Sequence, residues 1–120
     1  YCTAIYFLLT SENFSAFHRI KQDEIWHFYE GSPLYVHVID PSGKYTRHEV
    51  GLDFANGQTP QLVVPASHWF ASSVKDMDSY SLVGCTVAPG FDFDDFELAD
   101  RQELINKFPN HQDIIKKLTR

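Results

Sequence analysis

The sequence has few cysteines, no long hydrophobic run and no cluster of basic residues. Its two cysteines, Cys2 and Cys85, lie far apart in apolar runs that are typical of strands. We therefore expect buried free thiols in a reducing compartment, the cytoplasm, rather than a disulfide. No apolar run approaches the ~20 residues that a transmembrane helix needs, so no membrane partner is expected.

Positive charge is also scarce. Sixteen acidic residues against ten basic ones give a formal net charge of -6 at pH 7. Such a chain repels phosphate backbones, so we expect no nucleic-acid partner. Hydrophobic residues make up 43% and charged residues 22%, which excludes a disordered chain.

The length predicts a single domain over residues 1–120. The chain opens at Tyr1 directly into a strand-like run, and we expect that the natural protein has a further N-terminal segment before it. The aromatic content is high, with 10 Phe, 6 Tyr and 2 Trp.

Most of the chain reads as short strands. Runs rich in β-branched and aromatic residues are separated by turn signals such as residues 40–43 and Asn56-Gly57. These runs predict eight strands, at residues 2–9, 14–20, 24–30, 34–39, 45–50, 61–64, 69–74 and 80–87. Many short strands at this spacing indicate an all-β sandwich or barrel.

The last twenty residues have helical patterning. Asp100 and Glu103 have the spacing of a capping box, and apolar residues recur at helical spacing until Pro109. A second short helix is predicted over residues 112–118. Helices this short are marginal alone, so we expect a C-terminal helical tail that packs on the sheet.

The segment most able to carry chemistry lies around His18 and Glu24. Alternate residues share a strand face, so His18 can point inward on one strand while the next presents Glu24, Trp26, Phe28 and Glu30. If these strands form a hairpin in a barrel, His18 and Glu24 meet inside. A buried imidazole and carboxylate must satisfy each other or a ligand.

These residues resemble the first motif of the cupin superfamily. In outline that motif is His-x-His, three or four residues, Glu, six residues, Gly, and it is matched here by His18, Glu24 and Gly31. Ile20 holds the place of the second histidine. The second cupin motif, Pro-x-Gly-x-x-His, is echoed by residues 65–70.

A closer resemblance is to an uncharacterised branch, cupin type five. It covers roughly residues 1 to 98 and is carried by residues 3–9, 17–31, 64–66, 81–91 and 93–97. The resemblance implies a double-stranded β-helix, or jelly-roll barrel, that is commonly dimeric. It also implies similarity to sugar-nucleotide epimerases and storage proteins. Members of this family usually carry a further N-terminal segment rich in Pro, Glu and Gly, so the resemblance also implies that such a segment precedes Tyr1 in the natural protein.

The resemblance also implies where a metal would bind. Cupins with a metal use three His and one Glu, but this chain keeps His18 and Glu24 and has Ile20 and Phe70 at the other two positions. His68 could serve as a third ligand only if its strand shifted register. We therefore expect no metal and no cofactor, and interpret His27, His37, His48 and His111 as surface or satisfied core histidines.

His18 and Glu24 are the predicted catalytic pair, because a histidine oriented by a carboxylate can move a proton near neutral pH. The epimerase relatives use a histidine and a tyrosine without metal, and Tyr6, Tyr29, Tyr35, Tyr45 and Tyr80 are candidates for that acid. The alternative is a structural pair that fixes the barrel. We predict ligand-binding roles for Trp26, Phe28, His68 and Phe70, since large aromatics around a few polar groups describe a small-molecule pocket.

Three functions follow from this interpretation. The first is a metal-independent isomerase or epimerase that acts on a small polar metabolite such as a sugar derivative. The second is a non-catalytic metabolite-binding cupin, and the third, a weaker alternative, is a metal-dependent oxygenase or isomerase. In each case we expect a small-molecule ligand and a homodimer.

The acidic stretch at residues 92–97 has two interpretations. Its carboxylates could bind calcium or magnesium, but it lacks the glycine spacing of a calcium loop. Alternation of acids with aromatics favours an extended arm that buries Phe91, Phe93 and Phe96 while the carboxylates face water.

Overall fold

The computed structural model describes residues 1–120 and contains nine strands followed by two short helices. The strands are β1 (Thr3–Thr10), β2 (Phe14–Arg19), β3 (Asp23–Gly31), β4 (Leu34–Ile39), β5 (Tyr45–Val50), β6 (Gln61–Val64), β7 (Trp69–Val74), β8 (Tyr80–Ala88) and β9 (Glu97–Leu98). The helices are α1 (Arg101–Lys107) and α2 (Gln112–Lys117). The eight predicted strands are all present with ends within one residue of expectation.

The strands form two sheets that face each other as a jelly-roll barrel. One sheet has four strands in the order β1-β8-β3-β6, and the other has five in the order β5-β4-β7-β2-β9. All pairs between these strands are antiparallel. The predicted all-β jelly-roll barrel with a helical tail is therefore the observed fold.

The chain crosses from one sheet to the other between β2 and β3. The expected hairpin between these strands is wrong, because β2 pairs with β7 and β9 whereas β3 pairs with β6 and β8. A bulge between Phe28 and Glu30 also changes which face the end of β3 presents. As a result Glu30 is exposed and accepts a hydrogen bond from the Tyr80 hydroxyl at 3.0 Å, instead of facing inward with Glu24.

Gly31 ends β3 in a conformation that a side chain would disturb. Its φ is +95°, and a Cβ at this position would collide with the backbone carbonyl of Tyr80. The glycine that closes the first cupin-like motif therefore has a steric role in the turn between β3 and β4.

Two hydrophobic cores lie on opposite sides of the five-stranded sheet. The inner core fills the barrel and comprises Leu9, Trp26, Leu34, Val36, Val38, Val50, Val64, Phe70, Val83 and Cys85. The outer core joins the sheet to the helical tail and comprises Phe17, Ile39, Trp69, Ala71, Ala99, Leu104, Phe108, Ile115 and Leu118. Burial in this outer core stabilises two helices that are too short to persist alone.

The helical tail begins at the predicted cap. The Asp100 carboxylate accepts a hydrogen bond from the backbone N–H of Glu103 at 3.0 Å, which satisfies one of the free donors at the start of α1. The cysteines are both free, as expected, but only Cys85 is buried, and Cys2 is exposed near the chain terminus. No helix in the structure is long and apolar enough to cross a membrane.

Candidate functional site

A cavity of about 180 Å³ opens at one end of the barrel, where the chain passes from β2 to β3. Six of its nine lining residues are hydrophobic. The lining residues are Thr3, Ile5, His18, Ile20, Glu24, Cys85, Val87, Phe91 and Phe96. His18 and Glu24, two titratable groups from opposite sheets, thus line the same largely apolar cavity.

His18 is held in place by aromatic rings and by its own strand. Its ring lies 4.2 Å from the Phe70 ring and stacks on Phe96 at 5.3 Å, measured between centroids. Its Nδ1 donates a hydrogen bond to the Ala16 carbonyl at 2.8 Å, because a carbonyl can only accept. Burial lowers the pKa of His18, although the Ala16 bond opposes this effect. The neutral ring therefore keeps Nε2 as a free acceptor, and no protein group bonds to it.

Glu24 lies on β3 opposite Val64 on one side and Val87 on the other. Burial among these apolar neighbours raises the pKa of Glu24 to about 7. The indole N–H of Trp26 favours the carboxylate and reduces this shift. The indole nitrogen nevertheless lacks the geometry of a complete hydrogen bond and has no other partner.

The structure does not pair His18 with Glu24. His18 makes its hydrogen bond to Ala16, and no hydrogen bond or ion pair joins it to the carboxyl. The expectation that the two groups satisfy each other is therefore not met, because the N–H of His18 bonds to its own strand instead. Both are pushed towards their neutral forms near pH 7, so the cavity presents one hydrogen-bond acceptor and one carboxylic acid.

The other predicted site residues lie away from the cavity wall. Trp26 and Phe70 are buried in the barrel core, where Phe70 supports the His18 ring and Trp26 packs edge-on against Phe70 at 6.3 Å. Phe28 packs against the same core from its edge. His68 lies in the loop before β7, where its Nδ1 bonds to the Ala66 carbonyl at 3.1 Å. None of the four lines the cavity.

Cys85 lines the cavity and was not among the predicted site residues. Burial and the nearby Glu24 charge raise the pKa of its thiol far above the ordinary value, so it remains protonated and unreactive. The strand alternation that places Val83 and Val87 inward predicts the same direction for Cys85.

An arm over residues 89–97 closes one side of the cavity with Phe91 and Phe96. The backbone N–H of Phe91 donates to the Thr3 hydroxyl at 3.0 Å, which ties the arm to β1. The buried Gln22 amide donates to the Asp95 carboxylate at 2.7 Å, which ties it to the link before β3. These two bonds fix the aromatic wall against β1 and against the link that leads into β3.

The arm differs from the expected extended segment. Residues Phe93–Asp95 form a turn of 3-10 helix, because the Asp92 carboxylate accepts a hydrogen bond from the Asp94 N–H at 3.0 Å. Phe93 is exposed, with 84% of its surface accessible, and Phe96 keeps 40% accessible, so neither is buried as predicted.

No tyrosine lines the cavity. Tyr6 and Tyr29 pack against each other on the outside of the four-stranded sheet, at a centroid distance of 5.9 Å. Tyr80 donates to Glu30, and Tyr45 lies beside His37 on the outside of the five-stranded sheet. The residues present therefore do not provide the histidine–tyrosine pair of the epimerases.

The donor set does not fit the metal site of the metal-dependent cupins. No three His, Cys, Asp or Glu residues in the structure cluster closely enough to hold an ion. Ile20 and Phe70 present hydrocarbon surfaces where that site needs imidazoles, and His68 lies outside the cavity. A resident metal would have only His18 and Glu24 as charged or imidazole ligands, fewer than the three that catalytic sites usually supply.

The comparisons with known proteins agree with this architecture. Protein SO0799 from Shewanella oneidensis has a crystal structure that matches with a TM-score of 0.95 and 44% identity, over 99% of this chain and 75% of that chain. The uncharacterized protein YML079W of Saccharomyces cerevisiae is 35% identical over 97 residues, which are 78% of this chain and 48% of the yeast protein. This chain thus spans about half the length of that curated relative.

A more distant neighbour shares the fold alone. A dTDP sugar isomerase from Desulfovibrio desulfuricans G20 matches with a TM-score of 0.68 and 14% identity, over 82% of this chain and 64% of that chain. The family model for the "Cupin superfamily (DUF985)" matches residues 1–99, which include both sheets and every residue of the cavity. The chain therefore belongs to this family of the cupin superfamily.

Proposed function

We propose that this cupin catalyses metal-independent proton transfer on a small carbonyl metabolite, such as a short sugar derivative, in the cavity of His18 and Glu24. The observation that carries the proposal is the placement of a free imidazole acceptor and a carboxyl of pKa about 7 on one apolar wall. A general acid with a pKa near the working pH is most effective in such transfers, and the lowered pKa of His18 keeps its ring neutral and able to accept a proton.

The proposed step is enolisation. His18 Nε2 takes the proton from a carbon next to the substrate carbonyl, so that the C–H bond breaks and an N–H bond forms. The electron pair moves to make the C=C bond of the enol, and the Glu24 carboxylic acid gives its proton to the carbonyl oxygen. Return of the His18 proton to carbon, with return of the enol proton to Glu24, completes an exchange or an isomerisation.

The size and polarity of the cavity restrict the substrate. Its volume of about 180 Å³ is below the ~300–1,000 Å³ of pockets for drug-sized ligands, so a small molecule or one end of a larger one fits. The wall has no Lys or Arg. This favours an uncharged reacting group that stacks against Phe91 and Phe96.

Deuterium exchange tests the proposal directly. We would incubate the protein in D₂O with glyceraldehyde, dihydroxyacetone, erythrose and xylose, and follow loss of the C–H proton by NMR. We expect exchange above the protein-free rate, and a loss of roughly 10²–10⁴-fold in His18→Gln and in Glu24→Gln. His48→Gln, which alters a histidine on β5 away from the cavity, is the matched control and keeps the rate.

A non-catalytic metabolite-binding cupin is the second candidate. It is favoured by one observation, that no tyrosine lines the cavity to act as the acid of the epimerases. Saturation-transfer NMR with the same sugars separates the two candidates. Binding without exchange, or exchange that is equal in His18→Gln and the wild type, would exclude the catalytic proposal and leave the binding one.

We further propose that the protein works as a homodimer in the cytoplasm, where its free thiols remain reduced. The outer face of the four-stranded sheet exposes Tyr6, Leu8, Tyr29 and Val63, each with more than half of its surface accessible, at 82%, 60%, 52% and 54%. The middle of this face has no Asp, Glu, Lys or Arg at its outward positions, which are residues 4, 6, 8, 25, 27, 29, 61, 63, 82, 84 and 86, and its two acidic residues, Asp23 and Glu30, lie at opposite ends of β3. Two copies of a chain with net charge -6 can therefore meet over the middle of this face without contact between like charges.

Sedimentation velocity at micromolar concentration tests the dimer. We expect Leu8→Lys to dissociate it, since the substitution buries a charge in the apolar part of the face. Leu52→Lys changes an equally exposed leucine on a loop and should leave the dimer intact. A monomeric wild-type protein would contradict this proposal without affecting the one on catalysis.

A further inference from the structure

A second cleft, of about 360 Å³, lies on the outer side of the five-stranded sheet. It is bounded by the end of α2 on one side and by strands β4, β5 and β7 on the other. The sheet separates it from the barrel cavity, because side chains alternate across a strand and those lining this cleft point away from the barrel. Its volume lies in the range of ligand pockets, ~300–1,000 Å³.

The floor of this cleft is a chain of hydrogen bonds centred on His37. The His37 ring is 4% exposed, and its Nδ1 lies 2.8 Å from the Tyr45 hydroxyl while its Nε2 lies 3.0 Å from the Ser73 hydroxyl. In a neutral imidazole one nitrogen donates and the other accepts, so one of the two hydroxyls donates to the ring and the other accepts from it. Tyr45 and Ser73 both line the cleft and present these polar groups to it.

The walls of the cleft carry two cations without acidic partners. The Arg47 guanidinium lies 4.3 Å from the centre of the Tyr35 ring, and it makes no hydrogen bond or ion pair with the protein. Lys117 at the end of α2 also has no carboxylate partner. Both cations line the cleft, and burial, together with their charges, lowers the pKa of His37 to about 4.

The other charged residues of the cleft do not neutralise the positive charges of Arg47 and Lys117. Lys75 is paired with Glu49 at 2.9 Å, so the two neutralise each other. Glu12 is the other acidic side chain at the rim, and it forms no ion pair with either free cation. Two unpaired cations that face one cleft are unusual in a chain whose net charge is -6.

We propose that this outer cleft binds a small organic phosphate, with the phosphate between Arg47 and Lys117 and its organic part against Tyr35. A guanidinium that is already positioned over an aromatic ring presents paired N–H donors, which match the oxygens of a phosphate. The hydroxyls of Ser73 and Tyr45, on the floor of the cleft, supply further hydrogen bonds to the ligand. This site is independent of the proposed reaction in the barrel cavity, which presents no cation.

Chemical-shift mapping with phenyl phosphate tests this site. We expect phenyl phosphate to cause the largest amide shifts in β4, β5 and the end of α2. Inorganic phosphate, which lacks the ring, and benzoate, which lacks the phosphate, should both bind more weakly. Arg47→Met and Lys117→Met should each lower the affinity for phenyl phosphate by about tenfold, because each removes a charge-assisted interaction. Both residues are exposed, so both variants should fold.

Lys116→Met is the matched control, since it removes an exposed cation of α2 that does not line the cleft. It should leave the affinity unchanged. Equal weakening by Lys116→Met would show a diffuse charge effect and overturn the site. Shifts centred on His18 and Glu24, or no shift at millimolar phenyl phosphate, would overturn it as well.

Discussion

The barrel cavity and the outer cleft are each built around a histidine of the same sheet, and the two histidines differ in one respect. His37 has hydrogen-bond partners at both nitrogens, whereas His18 has one partner and a free Nε2 that faces a cavity. Burial lowers the pKa of both rings. A low pKa alone therefore does not distinguish a reactive histidine from a structural one, and the free nitrogen does.

The two regions also differ in charge. The outer cleft is lined by His37 together with the cations Arg47 and Lys117, while the barrel cavity has no cation and holds Glu24 among hydrocarbon groups. The first environment favours an anion, and the second favours neutral species. The same fold thus offers two kinds of site on opposite faces of one sheet.

The largest expected effect is a pH dependence of folding stability that comes from Glu24 in the barrel cavity. The pKa of Glu24 is raised from 4.5 to about 7 in the folded protein, so the unfolded chain loses this proton first and stability falls as pH rises through that interval. A shift of this size corresponds to about 3 kcal/mol. Glu24→Gln should remove this loss, so that its free energy of unfolding at pH 8, from urea denaturation, exceeds that of the wild type.

The control for this prediction is Glu12→Gln at the rim of the outer cleft. Glu12 is exposed, and its substitution should leave the pH dependence of stability as in the wild type. Parallel curves for Glu24→Gln and the wild type between pH 4 and pH 8 would show that Glu24 is solvated in the folded protein.

The next effect compares the two histidines directly. His37→Leu leaves the hydroxyls of Tyr45 and Ser73 without their partner and should cost about 2 kcal/mol of stability. His18→Leu loses one bond to Ala16 and gains apolar contact in the cavity, so it should cost about 1 kcal/mol or less. Urea denaturation at pH 7.5 measures both. The reverse order would contradict the assignment of His37 as the structural histidine.

The smallest effect concerns the cavity wall. Cys85→Ala removes a buried side-chain atom from the barrel and should cost about 1 kcal/mol, while it enlarges the cavity beside Glu24. Cys2→Ala is the matched control, because Cys2 is exposed and its removal should not change the melting temperature. Equal effects of the two substitutions would mean that Cys85 is not packed in the wall.

Local sequence patterns were sufficient to predict the strands and the helices. The period-two alternation of residues 34–39 and 45–50 and the turn between them describe interactions among near neighbours, and both strands have the expected ends. The Asp100 cap is likewise a local hydrogen bond, and it forms as predicted. The resemblance to cupins supplied the barrel, which the match over residues 1–99 confirms.

The alternation of side chains along each strand was not sufficient to predict which residues line the cavity. It states which face of a strand a residue occupies, but not which sheet the strand joins or how far along the barrel the residue lies. Trp26 shares a face with Glu24, yet it lies deeper in the core, while Phe91 and Phe96 come from a distant arm to line the cavity. No short-range signal marks such contacts.

The sequence by itself determined the strands, the helical tail and the inward direction of His18 and Glu24, because these depend on side-chain periodicity and local hydrogen bonds. Only the tertiary structure decided that β2 and β3 join opposite sheets, that His18 bonds to Ala16 rather than Glu24, and that Arg47 and Lys117 face one cleft. Those outcomes depend on how distant segments pack together, and packing decides which polar groups lose water and which keep a free atom for a ligand.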